Sequence, residues 1–132
     1  QRRVIGNVAW NSTYDPATCL SLAAGTDYVT TAQLSSWSPG SLWAFGHPHW
    51  NAFVTVLSPN APSCTAHNND NLSNASGIYT ANSRHPGGVN GVLADGSVRF
   101  ISSDINSTGG PTLYGVWGAL GTRDGAEPIS QY

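Results

Sequence analysis

The chain has 132 residues, a size that fits one domain with a real core. It carries five Arg, no Lys and seven carboxylates, for a net charge of -2. That leaves no basic stripe for nucleic acid and no Lys-rich amphipathic segment for a membrane surface.

Ser, Thr, Asn and Gly dominate instead, which suits a surface that meets other proteins or glycans. No run approaches the roughly 20 apolar residues that cross a bilayer, so no membrane span is expected. Met is absent, so Gln1 is not expected to be the translated start. Secretion with removal of a leader is the simplest account. Cys19 and Cys64 then read as one disulfide, closing a loop of about 46 residues worth about 4 kcal/mol. Two buried thiols are the other reading.

In residues 1–10, Val4, Val8 and Trp10 fall at alternate positions, the pattern of a strand, either at a sheet edge or donated to another subunit. Asp15 and Pro16 predict a helix start, and Gly25 its stop. DYVTTAQL suits a strand or a loop, whereas LWAFG and FVTVL read as two strands. Residues 58–83 form a long polar stretch with little pattern, read as a loop pinned by Cys64. After Pro86-Gly87-Gly88, residues 89–93 and 98–101 alternate around Asp95-Gly96. Val89, Gly91 and Leu93 share one face, as do Val98 and Phe100. This predicts a hairpin over Val89 to Ser102 with a two-residue turn, positive φ at both Asp95 and Gly96. NSTGGP reads as a turn. In the last part, Leu113, Val116, Trp117 and Leu120 stand at helical spacing.

The phrase from Ser83 to Asn90, followed by Ala94 to Ser102, resembles the C-terminal signature of a bacterial prepilin-like secreted family: a His, nine residues and Asp-Gly. Here these are His85, Asp95 and Gly96, with Gly87 and Gly88 between. The likeness extends to GSLWAFGHP (40–48), FVTVLSPNAPSC (53–64) and VWGALGTRDGAE (116–127), and thus covers roughly residues 40–130, with 84–127 as the signature region. It implies a pseudopilin-like globular domain. The long apolar N-terminal helix of that family has no counterpart in these residues.

The expected fold is therefore α+β to mainly β: one domain over 1–132, an antiparallel sheet with one or two short helices, a central hairpin and one disulfide. His85, Gly87, Gly88, Asp95 and Gly96 are read as turn and anchor residues, not as an acid–base pair. His47 and His49 would face the same way on a strand and could bind a metal with His67 or His85. Surface or stacked imidazoles are the reading preferred here. By analogy with pseudopilins, Asp104, Asp124 and Glu127 are candidates for calcium. Of five Trp, most are assigned to core and subunit contacts, while Trp43 and Trp50 could stack on sugars.

Asn11, Asn71, Asn74 and Asn106 each open an Asn-x-Ser/Thr acceptor site. Nucleophile elbow, phosphate loop, zinc helix and paired carboxylates are all missing from the sequence, so no catalytic residue, metal or cofactor is assigned. The expected role is structural: a self-assembling subunit of an extracellular pilus-like filament, its copies forming a helical homopolymer, with covalent glycans as further candidate partners. A non-polymeric carbohydrate-binding domain of the cell surface is the alternative. A minor pseudopilin of a secretion system is third.

Overall fold

Asp15 begins the first helix, α1, at Pro16–Ser21. Its carboxylate accepts from the Thr18 N–H at 2.8 Å and from the Thr18 hydroxyl at 2.6 Å, which satisfies one of the orphan donors of the first turn. The Thr18 hydroxyl and then its N–H hold the Asp15 carboxyl below the usual carboxylate range. Gly25 does not stop the helix. The Leu22 N–H closes it on the Cys19 carbonyl, and Gly25, at φ 62°, turns the hairpin that follows. That hairpin pairs Ala23–Ala24 (by chain order β2) with Asp27–Tyr28 (β3). The computed structural model describes residues 3–11, 14–66, 76–107 and 115–123.

The N-terminal strand β1, Val8–Trp10, runs parallel to β4, Ser63–Thr65, in the register Ala9↔Cys64. β4 in turn pairs antiparallel with β5, Gly77–Ile78. The outer edge of β1 is covered as well. The Trp10 N–H donates to the Gln33 carbonyl and the Ser35 N–H to the Val8 carbonyl, both at 2.8 Å. Val8 and Ala9 are fully buried. The strand expected as an edge or a donated arm is thus paired on both sides within its own chain, and removing it would open the core.

The Cys19–Cys64 disulfide joins α1 to β4 and sits in a core with Leu57 and Ile78. A second core gathers Val4, Ala9, Tyr28 and Ala32. The third lies under the signature hairpin, β6 at Gly88–Val92 and β7 at Val98–Ser102. There Val89 and Ile101 pack on Trp117 of helix α3, Gly115–Leu120. The class is α+β to mainly β with one disulfide, as expected. Its strands are spread over three small sheets, so the hairpin stands as a sheet of its own.

Three segments differ from expectation. LWAFG is a run of turns, in which the Phe45 N–H closes on the Leu42 carbonyl and the Asn51 amide donates to the carbonyls of Trp43 and Phe45. It leads into a short helix, α2, at Pro48–Asn51. FVTVL is irregular: Phe53 and Val54 stay exposed, and the segment turns inward only at its end, where Leu57 is buried. The polar stretch 58–83 contains β4 and β5 on either side of residues 67–75, which lie outside the described residues.

Candidate functional site

The residues of the signature lie at the two ends of the β6–β7 hairpin, His85, Gly87 and Gly88 at its base and Asp95 and Gly96 at its turn. Gly87 takes φ 78°, a conformation costly for any residue with a Cβ. Gly88 lies against the opposite strand so closely that a Cβ would overlap the Ile101 carbonyl oxygen and meet the Phe100 ring at 2.8 Å. At the far end the turn is not the expected two-residue form. The Gly96 N–H donates to the Leu93 carbonyl at 2.9 Å and the Leu93 N–H to the Ser97 carbonyl at 2.8 Å. Only Gly96, at φ 83°, is left-handed. This is a three-residue loop, in which a tight turn is followed by a left-handed glycine. Asp95 contributes by accepting from the Ser97 N–H at 2.8 Å. The Ser97 hydroxyl and that N–H hold its carboxyl below the usual range.

His85 and Asp95 do not form a pair. They stand at opposite ends of a five-residue strand, a span of about 17 Å. What is bonded at His85 is its backbone, whose N–H donates to the Ser83 hydroxyl at 3.1 Å. The strand's entry is anchored from elsewhere, by Asn60, which sequence reasoning did not single out. Asn60 is left-handed, at φ 66°. Its side-chain Oδ1 accepts from the Ser83 N–H at 2.8 Å, and its Nδ2 donates to the Ser103 hydroxyl at 3.2 Å and the Gly88 carbonyl at 3.4 Å. The Pro-Asn loop is thereby tied to both ends of the hairpin's base. An Asn between two prolines, in a position that tolerates left-handed backbone, was the available signal.

A groove of about 350 Å³ opens beside β6, floored by Phe53, Val89, Ile101 and Trp117, with Asn82 and His85 at its margin. Trp117 is buried. Its indole N–H donates to the Leu57 carbonyl at 2.8 Å, and its ring stacks on Phe53 with centroids 6.1 Å apart. Such a floor can hold an apolar side chain. It offers no proton-transfer pair.

Behind the groove, Ser63 and Thr80 share a hydrogen bond at 2.9 Å, and the Tyr28 hydroxyl donates to the Ser63 carbonyl at 2.7 Å. Burial pushes the Tyr28 phenol up, so it stays neutral and serves packing. A second groove, about 530 Å³, is lined by Arg3 and Arg84. Arg3 also pairs with Asp27 at 3.7 Å.

The histidine pair lies on no strand. His47 precedes α2 and His49 sits within it, because Pro48 starts a helical turn between them. Both rings pack on Trp50, at 4.8 and 5.6 Å. His49 also contacts the Trp37 carbonyl at 3.1 Å. His85 lies away from them at the hairpin base, and His67 lies outside the described residues. Trp50 is only 5% exposed and forms the hub for Trp37 and Phe45, which meet it edge-on. It is therefore unavailable as a sugar platform. Trp43, 82% exposed, remains available. Trp10 is half-buried and donates to the Ala66 carbonyl.

Of the glycan acceptors, Asn11 is corrected. It is 3% exposed, its N–H donating to the Thr65 carbonyl, so a glycan there would require unfolding. Asn106 is exposed, after the hairpin, while Asn71 and Asn74 lie outside the described residues. Of the calcium candidates, Asp104 is exposed, and Asp124 and Glu127 lie outside the described residues. Among the described residues no three His, Cys, Asp or Glu come together as metal ligands, and no helix is long and apolar enough to cross a membrane.

A family model described as "Protein of unknown function (DUF1559)" matches residues 2–108. No curated protein and no solved structure matches the chain.

Proposed function

We propose, from the premise that the chain belongs to the DUF1559 family, that it is a structural subunit of an extracellular, pilus-like surface filament whose main partners are its own copies. The family is associated with prepilin-like, pseudopilin-like proteins. The observation that carries the reading is the apolar surface. Val92, Val98 and Phe100 on the hairpin, and Trp43, Phe45 and Phe53 elsewhere, are exposed on a chain with only 9% charged residues. Val92 and Val98 are cross-strand partners and Phe100 shares their face, and contiguous apolar surface of this kind marks a contact site. The signature residues support a scaffold rather than a reaction, since the two glycines, Asp95 and the His85 backbone are all committed to shaping the hairpin. In this reading the chain is secreted, is not an enzyme and needs no cofactor. Asn106, exposed and preceded by Asp104, is the described acceptor at which a glycan could be attached.

The test is electron microscopy of the native, undigested protein near neutral pH. Ordered filaments built from this chain are expected, and dispersed particles of one domain would end the reading. Trp43 favours a second one, a non-polymeric carbohydrate-binding domain, because an indole that exposed can stack on a sugar ring. Glycan-array binding lost in Trp43→Ala, from a protein that forms no filaments, would establish it.

A further inference from the structure

The β6–β7 hairpin has two edges that its own chain leaves partly unused. The bonds from the Leu93 N–H to the Ser97 carbonyl and from the Ser103 N–H to the Gly87 carbonyl, each 2.8 Å, fix which backbone groups face inward. With the register Val89↔Ile101 and Gly91↔Arg99, the N–H and C=O of those residues point across the hairpin. Those of Gly88, Asn90 and Val92 on β6, and of Val98, Phe100 and Ser102 on β7, point outward. At the base the outward groups are taken. The Gly88 carbonyl accepts from Asn60, and the Ser102 carbonyl from the Ile105 N–H. Nearer the turn, among the described residues, the outward backbone of Asn90 and Val92 on one edge and of Val98 and Phe100 on the other has no backbone partner. The side chains there are also bare: Val92 is 72% and Val98 68% exposed. Folded proteins blunt free strand edges with Lys, Pro, inward charges or bulges. Apart from Arg99, these two strands carry none of these.

We propose that successive copies of this chain join hairpin to hairpin, the β7 edge of one copy pairing antiparallel with the β6 edge of the next. The proposal rests on the filament reading and names its contact. Stacked in one sense, hairpins give the order β6, β7, β6, β7, in which every neighbour is antiparallel and one contact repeats. A contact between two different edges does not close on itself, so it extends as a filament. The charges suit identical partners: between Gly88 and Ser102 only Asp95 and Arg99 are ionised, with opposite signs, so a row of hairpins accumulates no net charge. The size suits a polymer. Two such short edges bury well under the roughly 800 Å² per partner of a standard interface, so one contact alone is weak and each copy is held through both edges. The groove adds selectivity. Asn90 lines it although its side chain belongs to the other face, so the groove reaches the β6 edge and can seat a side chain of the added strand.

Two proline variants test this, because each removes an outward N–H and leaves the β6–β7 ladder intact. Asn90→Pro blocks the β6 edge, and Phe100→Pro blocks the β7 edge. Filament formation is read by electron microscopy and sedimentation of the full chain, and folding by circular dichroism. Each variant alone should remain monomeric at more than ten times the concentration at which the unaltered chain assembles. Mixed, they should form one-to-one pairs, through the intact β7 edge of Asn90→Pro and the intact β6 edge of Phe100→Pro. Wild-type-like filaments from Asn90→Pro, homodimers of either variant, or no pairs on mixing would each overturn the contact while leaving the filament reading in place. No assembly of the unaltered chain would remove both. Should the proline variants fail to fold, Val92→Lys decides, since its side chain is already in water. Unchanged assembly would refute the proposal, and a tenfold rise in assembly concentration supports it.

Discussion

Replacing Asn60 separates two effects that the structure combines at one residue. Asn60→Gly keeps the left-handed backbone at φ 66° but removes the acceptor of the Ser83 N–H and the two donors to Ser103 and Gly88. At about 1 kcal/mol for the 2.8 Å bond and less for the two longer ones, the loss is about 2 kcal/mol. Asn60→Ala removes the same bonds and, relative to Gly, keeps a Cβ on a left-handed residue without the polar side chain that lets Asn adopt it, at a cost of about 1–2 kcal/mol. Alanine's smaller unfolded-state entropy returns about 0.4–1 kcal/mol of that. Ala should therefore be worse than Gly by about 1 kcal/mol, against the usual order of the two residues. For a domain of this size that corresponds to Tm falling by roughly 8 °C in Asn60→Gly and roughly 12 °C in Asn60→Ala. Thermal unfolding followed by circular dichroism, with the disulfide intact, measures both. If Asn60→Ala proves the more stable of the two, the assigned role of the left-handed backbone is wrong.

Trp117→Ala should destabilise by about 3–5 kcal/mol, since it empties the groove's floor and leaves the Leu57 carbonyl without its donor. Urea titration checks this, and a loss below 1 kcal/mol would contradict the packing described. Reducing the disulfide, or Cys19→Ala with Cys64→Ala, should cost about 4 kcal/mol through the loop it closes. Chemical denaturation with and without reductant gives the difference. The lowered Asp15 carboxyl makes a helix-capping contribution that is present above the ordinary carboxylate pKa and is lost as pH falls through the folded value. Asp15→Asn should thus flatten the stability profile below about pH 4, and an unchanged acid limb would count against the cap.

What was legible in the sequence was what local chemistry dictates. Asp15-Pro16 started a helix because one side chain and one ring suffice to do so. The alternation around Asp95-Gly96 grouped Val89 with Gly91 and Val98 with Phe100 because a strand's faces follow its parity, but which face of β7 packs inward is decided by Trp117, which buries Ile101 and leaves Val98 and Phe100 in water. Cys19 and Cys64 were the two cysteines and are bonded. What escaped depends on distant partners. Ser63, Cys64 and Thr65 look like loop residues, yet they form a buried strand because Tyr28, Thr80 and β1 satisfy them from far along the chain. LWAFG reads as a strand by composition, but it folds as turns in which Phe45 meets Trp50 edge-on while Trp43 stays in water, so no alternating inward face forms. The turn type was misjudged because Asp-Gly is compatible with both loop lengths. The role of Asn60 was hidden because its partners lie more than 20 residues away.

The parallel pairing of β1 with β4 has a kinetic consequence. Val8 meets Ser63 across 55 intervening steps of chain, since 63 − 8 = 55. Once Cys19 is bonded to Cys64, the shortest route between them is 11 residues to Cys19 and one from Cys64 back, since 19 − 8 = 11 and 64 − 63 = 1. Shortening a loop about fivefold lowers its closure cost by roughly 1.4 kcal/mol, a factor of about ten in the chance of the strands meeting. A chain oxidised before it collapses should therefore dock β1 about tenfold faster than a reduced one. The compartment in which the chain folds would then set how long the uncovered edge of β4 stays open to the wrong partner.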